Sequence, residues 1–374
     1  MSENFRENPL RLAFGLMRLP KLPDGSIDIH QVCEMADRFI AAGGTYFDTA
    51  FVYDGGDSEK AFKAAVADRY PRDAYTLATK LHATMGATDE KSARQEFTTS
   101  LERTGAGYFD FYLLHALGKG NIDSYDAYGL WDFVKEAKEK GLIKHYGFSF
   151  HDTPEFLDEL LTKHPDVEFV QLQINYADME AANVQSRGCY EVARKHGKPI
   201  VVMEPVKGGT LAQPPERVTN ILKASAPDAS PASWAIRYIA SMEGIMVVLS
   251  GMSNIAQMED NVSYMKDFQP LSEEEQAVVK KAQEALASVE QIPCTSCRYC
   301  TPGCPMQINI PGVFSAMNSY LMYDNLEDAK RTYGWRTSEG GKASDCIGCG
   351  QCEGECPQHI TIIDWLARSA QTLE

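Results

Sequence analysis

The chain has 374 residues and a formal net charge of −16, long enough for one large domain with an appendage. Its 44% hydrophobic and 24% charged content excludes a disordered or fibrous protein. The acidic balance excludes a broad nucleic-acid or anionic-membrane footprint. No membrane-length apolar run and no signal-peptide stretch is present, so a cytoplasmic protein without a membrane span is expected.

From residue 12 onward, short apolar runs alternate with amphipathic stretches. Strands are predicted at 12–14 and 45–48, then at 75–79, 109–114, 144–148, 169–174, 200–203 and 245–249. Most are β-branched or aromatic and lack a clean period of two, as parallel strands covered on both faces do. Between them, Val32, Met35, Ala36, Phe39 and Ile40 recur at the spacing of one buried helix face. Leu130, Phe133, Val134 and Ala137 do the same, and the charged stretch at 135–144 reads as a solvated helix end. Thr153 and Ser230, each followed by proline, open further helices. Eight strand–helix units over about 260 residues fit an α/β fold of the (β/α)₈ barrel type. An open doubly wound sheet is the competing arrangement, because periodicity alone cannot close a barrel. Past residue 267, Ser272 and Glu275 form a capping box for a helix reaching to about residue 289. A domain boundary is predicted at 290–293, dividing the chain into 1–289 and 290–374.

Eight of the ten cysteines lie between Cys294 and Cys356. Cys294, Cys297, Cys300 and Cys304 precede Pro305, and Cys346, Cys349, Cys352 and Cys356 precede Pro357. Both runs read C-x₂-C-x₂-C-x₃-C-P, the bacterial ferredoxin spacing for a [4Fe–4S] cluster. Three thiolates on a tight loop reach three corners of a cubane, and the fourth corner faces away from that loop. Cys294, Cys297, Cys300 and Cys356 are therefore assigned to one cluster, and Cys346, Cys349, Cys352 and Cys304 to the other. Zinc is the competing reading, but its sites do not call for two such triplets with trailing C-P pairs. The intervening segment 305–345 is longer than a minimal ferredoxin needs. Phe314, Met317, Asn318 and Leu321 mark one face of a helix within it, so the module resembles α-helical ferredoxins. Cys33 and Cys189 read as small core residues.

Four segments of the first domain end on polar residues: Asp48, Tyr53, Lys80 and His115. At the C-terminal ends of barrel strands they would face one another. The stretches GGTYFDTAFVYDGGDSEKAF, ATKLH, YLLHA and VLSGMSNIAQMEDNV resemble the aldo-keto reductases over roughly residues 10–268. Together with the tail, the chain resembles the ferredoxin-fused bacterial branch of that family. The resemblance implies a nicotinamide cofactor, NADP or NAD, and a catalytic tetrad. Tyr53 would give a proton to the carbonyl oxygen, with Lys80 lowering its pKa. Asp48 would hold Lys80, and His115 would orient and polarise the carbonyl.

The same resemblance implies cofactor contacts at Met17, Ser149 and Gln171, and in the loop of Pro205, Val206 and Gly208. It also implies contacts at Ser253, Gln257, Asp260 and Asn261. Two departures matter. Phe150 stands where the family has asparagine, leaving His151 or Asn175 to supply a carboxamide bond. Gln257 stands where an arginine often grips the 2′-phosphate, which weakens an NADPH preference. No dinucleotide-fingerprint flavin motif and no Walker sequence is visible. The leading expectation is a carbonyl or alcohol oxidoreductase acting on a small molecule and carrying two [4Fe–4S] clusters. The alternative is an electron-transfer or assembly component, with a separate electron-transfer partner, whose barrel serves for docking or sensing.

Overall fold

Eight parallel strands follow one another in chain order around a closed barrel. They are β1 (Leu12–Gly15), β2 (Tyr46–Asp48), β3 (Thr76–Leu81), β4 (Phe109–Leu117), β5 (Ile143–Phe150), β6 (Phe169–Gln173), β7 (Ile200–Met203) and β8 (Ile245–Ser250). The ring closes where β1 pairs with β8, Ala13 opposite Leu249. That pairing excludes the open doubly wound sheet. The computed structural model describes residues 10–181, 184–289, 291–294, 298–356 and 358–374. Cys297, Pro357 and position 290 of the expected domain boundary lie outside them.

Strand alternation builds the interior. Tyr46, Ala78, Phe111, Phe169, Val201 and Val247 pack into one apolar plug inside the barrel. Residues two positions further along the same strands face the same side. Asp48, Lys80, Gln171 and Met203 thus stand one layer above the plug, toward the C-terminal ends of the strands. The outer faces meet the helices in a larger core that includes Phe14, Phe39, Phe47, Phe62 and Phe148.

The predicted helix starts are where the capping residues put them. The Pro154–Lys163 helix begins after Thr153, whose side chain accepts from Phe156 N. The Pro231–Ala240 helix begins after Ser230, which accepts from Ser233 N at 3.1 Å. Ser272 and Glu275 exchange bonds, Ser272 N to Glu275 Oε2 at 2.9 Å and Glu275 N to Ser272 Oγ at 3.2 Å. They open the Glu273–Ala287 helix.

Two compact units divide the chain. One runs to Gly208 and takes in Ala229–Gln276; the other comprises Gly209–Asp228 and Ala277–Glu374. In the second, the Ile310–Tyr323 helix, the Leu326–Arg336 helix and the Ile362–Leu373 helix enclose a core of Ile308, Val313, Phe314, Met317, Ile362 and Leu366. Asn309 caps the first of these helices by accepting from Gly312 N. Asn318 holds the segment before Cys294, donating to Ile292 O at 2.9 Å and accepting from Ile292 N at 2.7 Å. Among the described residues, no helix is long and apolar enough to cross a membrane.

Candidate active site and cysteine-lined cavities

The centre of the barrel mouth is Lys80. Its ammonium is fully buried and donates to Asp48 Oδ1 and to Thr49 O, each at 2.6 Å. Its Nζ stands 4.9 Å from the ring centre of Tyr53. Burial pushes the ammonium down, but Asp48 and Tyr53 together more than offset it, so Lys80 lies above its ordinary pKa and is charged. Tyr53 belongs to a short turn after β2 in which Asp54, Gly55 and Gly56 all have positive φ. Thr49 N and Phe51 N donate to Ala78 O and Lys80 O, which ties this loop to β3. Tyr53 is thereby held over Lys80.

His115 completes the group, its ring 5.6 Å from Tyr53 and edge-on to it. Burial, reinforced by the charge on Lys80, holds its pKa well below the ordinary histidine value. The imidazole is therefore neutral near pH 7. Lys80 lowers the Tyr53 pKa as the sequence implies, but burial outweighs it and leaves Tyr53 above its ordinary value. A buried phenolate loses more solvation than one ammonium neighbour, itself tied to Asp48, returns.

A layer behind this centre escaped the sequence reading. Thr79 donates to Glu59 Oε1 at 2.8 Å, and Arg103 reaches both Glu59 Oε2 and Phe51 O. His82 N donates to Glu96 Oε2 at 3.0 Å, and burial raises Glu96 to about 8. The available signal was the period of two: His82 follows Lys80 by two residues and shares its face.

The expected cofactor residues divide into two sets. Ser149 and Gln171 pair in register on β5 and β6. Ser149 Oγ accepts from Ala116 N at 2.7 Å, and Gln171 donates to Met203 Sδ. Gln171 Oε1 is buried without a partner, an acceptor suited to an amide N–H. Met17 is exposed just after β1. Pro205 and Val206 follow β7, between Glu204 at φ 57° and Lys207 at φ 50°. Gly208, at φ 65°, adopts the backbone that favours glycine. Arg18 bridges these loops by pairing with Glu204 at 2.9 Å.

Gln257 has the oxygen end of its amide engaged. Its Oε1 accepts from Ser253 N at 2.7 Å, at the start of the Ile255–Met265 helix that Asn254 caps. Asp260 accepts from Ser230 Oγ at 2.7 Å. Asn261 is buried, donating to Ser250 Oγ and accepting from Tyr264 OH, each at 2.6 Å. Asn261 thereby fastens its helix to β8. Asn175 has both amide ends engaged, by Asp178 and Glu204 on one side and the amides of Ala177 and Asp178 on the other. Of the two substitutes considered for the missing asparagine, only His151 has its side chain exposed.

The second unit contains two cysteine-walled cavities. Cys294, Cys300 and Cys356 line one, with Ile310 and Phe314 beside them. Cys304, Cys346, Cys349 and Cys352 line the other. Each cavity thus draws its last cysteine from the opposite run. Among the described residues, no three His, Cys, Asp or Glu side chains converge as ligands of a single ion would. Cysteine side chains around a cavity wall suit the polynuclear cluster that the C-x₂-C-x₂-C-x₃-C-P spacing calls for.

Comparison with known proteins finds two family matches along the chain. Residues 293–361 match the 4Fe-4S dicluster domain. Residues 11–284 match the Aldo/keto reductase family. An uncharacterised oxidoreductase of Bacillus subtilis, YqkF, is 25% identical over 303 residues, covering 69% of this chain and 94% of that protein. An aldo-keto reductase of Mycolicibacterium vanbaalenii is 30% identical over 242 residues, 62% of this chain and 76% of its own. Among solved structures, the holo form of AKR11C1 from Bacillus halodurans superposes with a TM-score of 0.60 at 24% identity, over 73% of this chain and 91% of that one. A Klebsiella pneumoniae aldo-keto reductase in complex with NADPH gives 0.57 at 19% identity, over 72% and 90%. These two likenesses are of fold. The family match runs from β1 past β8, through every strand that contributes to the mouth, and on that extent the chain belongs to the aldo/keto reductase family.

Proposed function

We propose that the barrel reduces a carbonyl compound, or oxidises the corresponding alcohol, with Tyr53 as the general acid. The observation that carries this reading is the buried Lys80 ammonium, held by Asp48 and set beside the Tyr53 ring. A nicotinamide dinucleotide, when bound, supplies hydride to the carbonyl carbon. The chain's own residues must then manage charge on the oxygen. Neutral His115 donates a hydrogen bond to that oxygen and sets its orientation. Tyr53 transfers its phenolic proton to it, and Lys80 stabilises the phenolate left behind. The raised pKa of Tyr53 keeps the proton in place until oxygen becomes basic, as an acid used only in the transition state requires.

Ser149 and the unpartnered Gln171 Oε1 are suited to the carboxamide, and the loop of Pro205, Val206 and Gly208 to the pyrophosphate. The positive end of the helix that Asn254 caps suits a phosphate. A neutral Gln257, bonded back to Ser253, brings no charge to a 2′-phosphate, so NADH and NADPH are both candidate donors. Reduction of a panel of aldehydes and ketones by the purified protein with each donor tests the reading. No turnover with either would defeat it.

The two cysteine-walled cavities support a second part of the reading. We assign Cys294, Cys297, Cys300 and Cys356 to one [4Fe–4S] cluster and Cys304, Cys346, Cys349 and Cys352 to another. Functionally, residues 1–289 then form the reductase and 290–374 the cluster domain. The same cavities favour the alternative that this domain trades electrons with a separate partner protein.

A further inference from the structure

Arg103 has no part in the mechanism above, yet it grips the turn that carries the acid. It stands one residue before the end of the Glu90–Thr104 helix. Its Nη1 donates to Phe51 O at 3.1 Å, and its guanidinium lies over the Phe51 ring, 4.4 Å from the ring centre. The same guanidinium fills the space that a side chain at Gly56 would need. Phe51 and Gly56 are the two shoulders of the turn, and Tyr53 lies between them. Asp54, Gly55 and Gly56 all have left-handed backbone angles, which Asp54 adopts at a cost. A turn of that kind holds its shape through contacts from outside it.

Glu59 fixes the guanidinium from behind. It is fully buried; its Oε2 lies 3.4 Å from Arg103 Nη1, and its Oε1 accepts from Thr79 Oγ1 at 2.8 Å. Thr79 adjoins Lys80 on β3. Direct contacts therefore run from the strand of Lys80, through Thr79, Glu59 and Arg103, to the carbonyl of Phe51. A buried ion pair gains little stability over apolar packing of the same size. Its directed bonds do fix a distance, and proton transfer from Tyr53 depends on distance.

We propose that Arg103, held by Glu59, is a positioning residue that keeps Tyr53 set over Lys80. This rests on the reading of the barrel as a carbonyl reductase with Tyr53 as its acid. Released from Arg103, the turn lets the phenol drift, and a displacement of about 1 Å costs up to about 10²-fold in rate. The candidate cofactor residues stand on or after other strands, so nicotinamide binding should survive the change.

The test compares Arg103→Met, which keeps the stem and removes the fork, with Arg103→Lys, which offers Glu59 a point charge without the fork. On a confirmed carbonyl substrate, kcat should fall by about 10- to 100-fold in Arg103→Met and by less in Arg103→Lys. The Kd of NADPH or NADH, read from nicotinamide fluorescence, should stay within about twofold of the wild type. Each change is also made in Tyr53→Phe, where it should cost nothing further, because the group it positions is gone. A purely structural role would lower the residual rate of that variant too. If Arg103→Met does not fold, Arg103→Lys carries the same comparison. Unchanged kcat in every variant that folds, a matching loss of cofactor affinity, or a loss that multiplies with that of Tyr53→Phe overturns the proposal and leaves the reductase reading intact. Turnover of no carbonyl compound by the wild type with either donor overturns both.

Discussion

Tyr53 and Lys80 differ from a simple charge-lowered acid pair, and the difference can be measured. Because burial outweighs Lys80, the phenol stays protonated throughout the neutral range. Reduction should therefore show no loss from this group between about pH 6 and pH 9, and fall only at higher pH as the acid form is depleted. A break in kcat near neutrality that disappears in Tyr53→Phe would contradict this. Tyr53→Phe itself retains the ring and removes the proton, and should lower kcat by at least about 10²-fold with cofactor affinity kept. Near-native turnover by that variant on a confirmed substrate would remove Tyr53 from the mechanism. At the cofactor end, Gln257→Arg adds a cation at the helix that Asn254 caps. It should improve the NADPH-to-NADH ratio of kcat/KM by about tenfold; an unchanged ratio would mean the 2′-phosphate does not lie there.

Between β3 and the Glu90–Thr104 helix lies an element-level weakness. Glu96 is buried, one oxygen accepting from His82 N and the other without a partner. Its pKa stands at about 8 against an ordinary 4.5, chiefly from burial. A carboxyl raised in the folded state contributes stability that is full below the unfolded pKa and declines as pH rises toward the folded one. Stability of the barrel should thus fall between about pH 5 and pH 8, by an amount of order a few kcal/mol. Glu96→Gln cannot ionise and keeps an acceptor for His82 N, so its Tm should be flatter over that window. Parallel thermal curves for both proteins would show that Glu96 does not titrate in the folded state. Packing of this kind was invisible in the sequence, where Glu96 sits among Arg94, Gln95 and Thr98 in a stretch that reads as polar.

For the molecule as a whole, the question is whether barrel and cluster domain share electrons. Protein purified without oxygen should carry about eight iron atoms per chain, as two cubane clusters require; stoichiometric zinc would refute the assignment. Thiolate ligation couples metal to folding, so a chelator should expose the region past residue 290 to proteolysis before the barrel. Hydride moves two electrons together and cluster chemistry one at a time, and the chain has no visible flavin fingerprint. Excess NADPH or NADH added anaerobically should therefore leave the visible cluster absorption unbleached on the turnover timescale. Bleaching without a mediator would bring the electron-transfer alternative to the front.

The strand order, the caps at Thr153, Ser230 and Ser272, and the two cysteine runs were legible in the sequence because each is a local signal. Apolar runs, capping side chains and ligand spacings act over a few residues, and the Asp48, Lys80 and His115 positions followed from them as strand ends. Closure of β1 on β8 was not legible, since it depends on the accumulated tilt of all eight strands and on no single segment. Nor were the roles of Asn261 and Asn175, which read as available amides until tertiary packing engaged them. The net directions in which Tyr53 and His115 are shifted likewise had to come from the structure. Each is the balance of burial against neighbours brought together from distant parts of the chain, and that balance exists only once the barrel has closed around them.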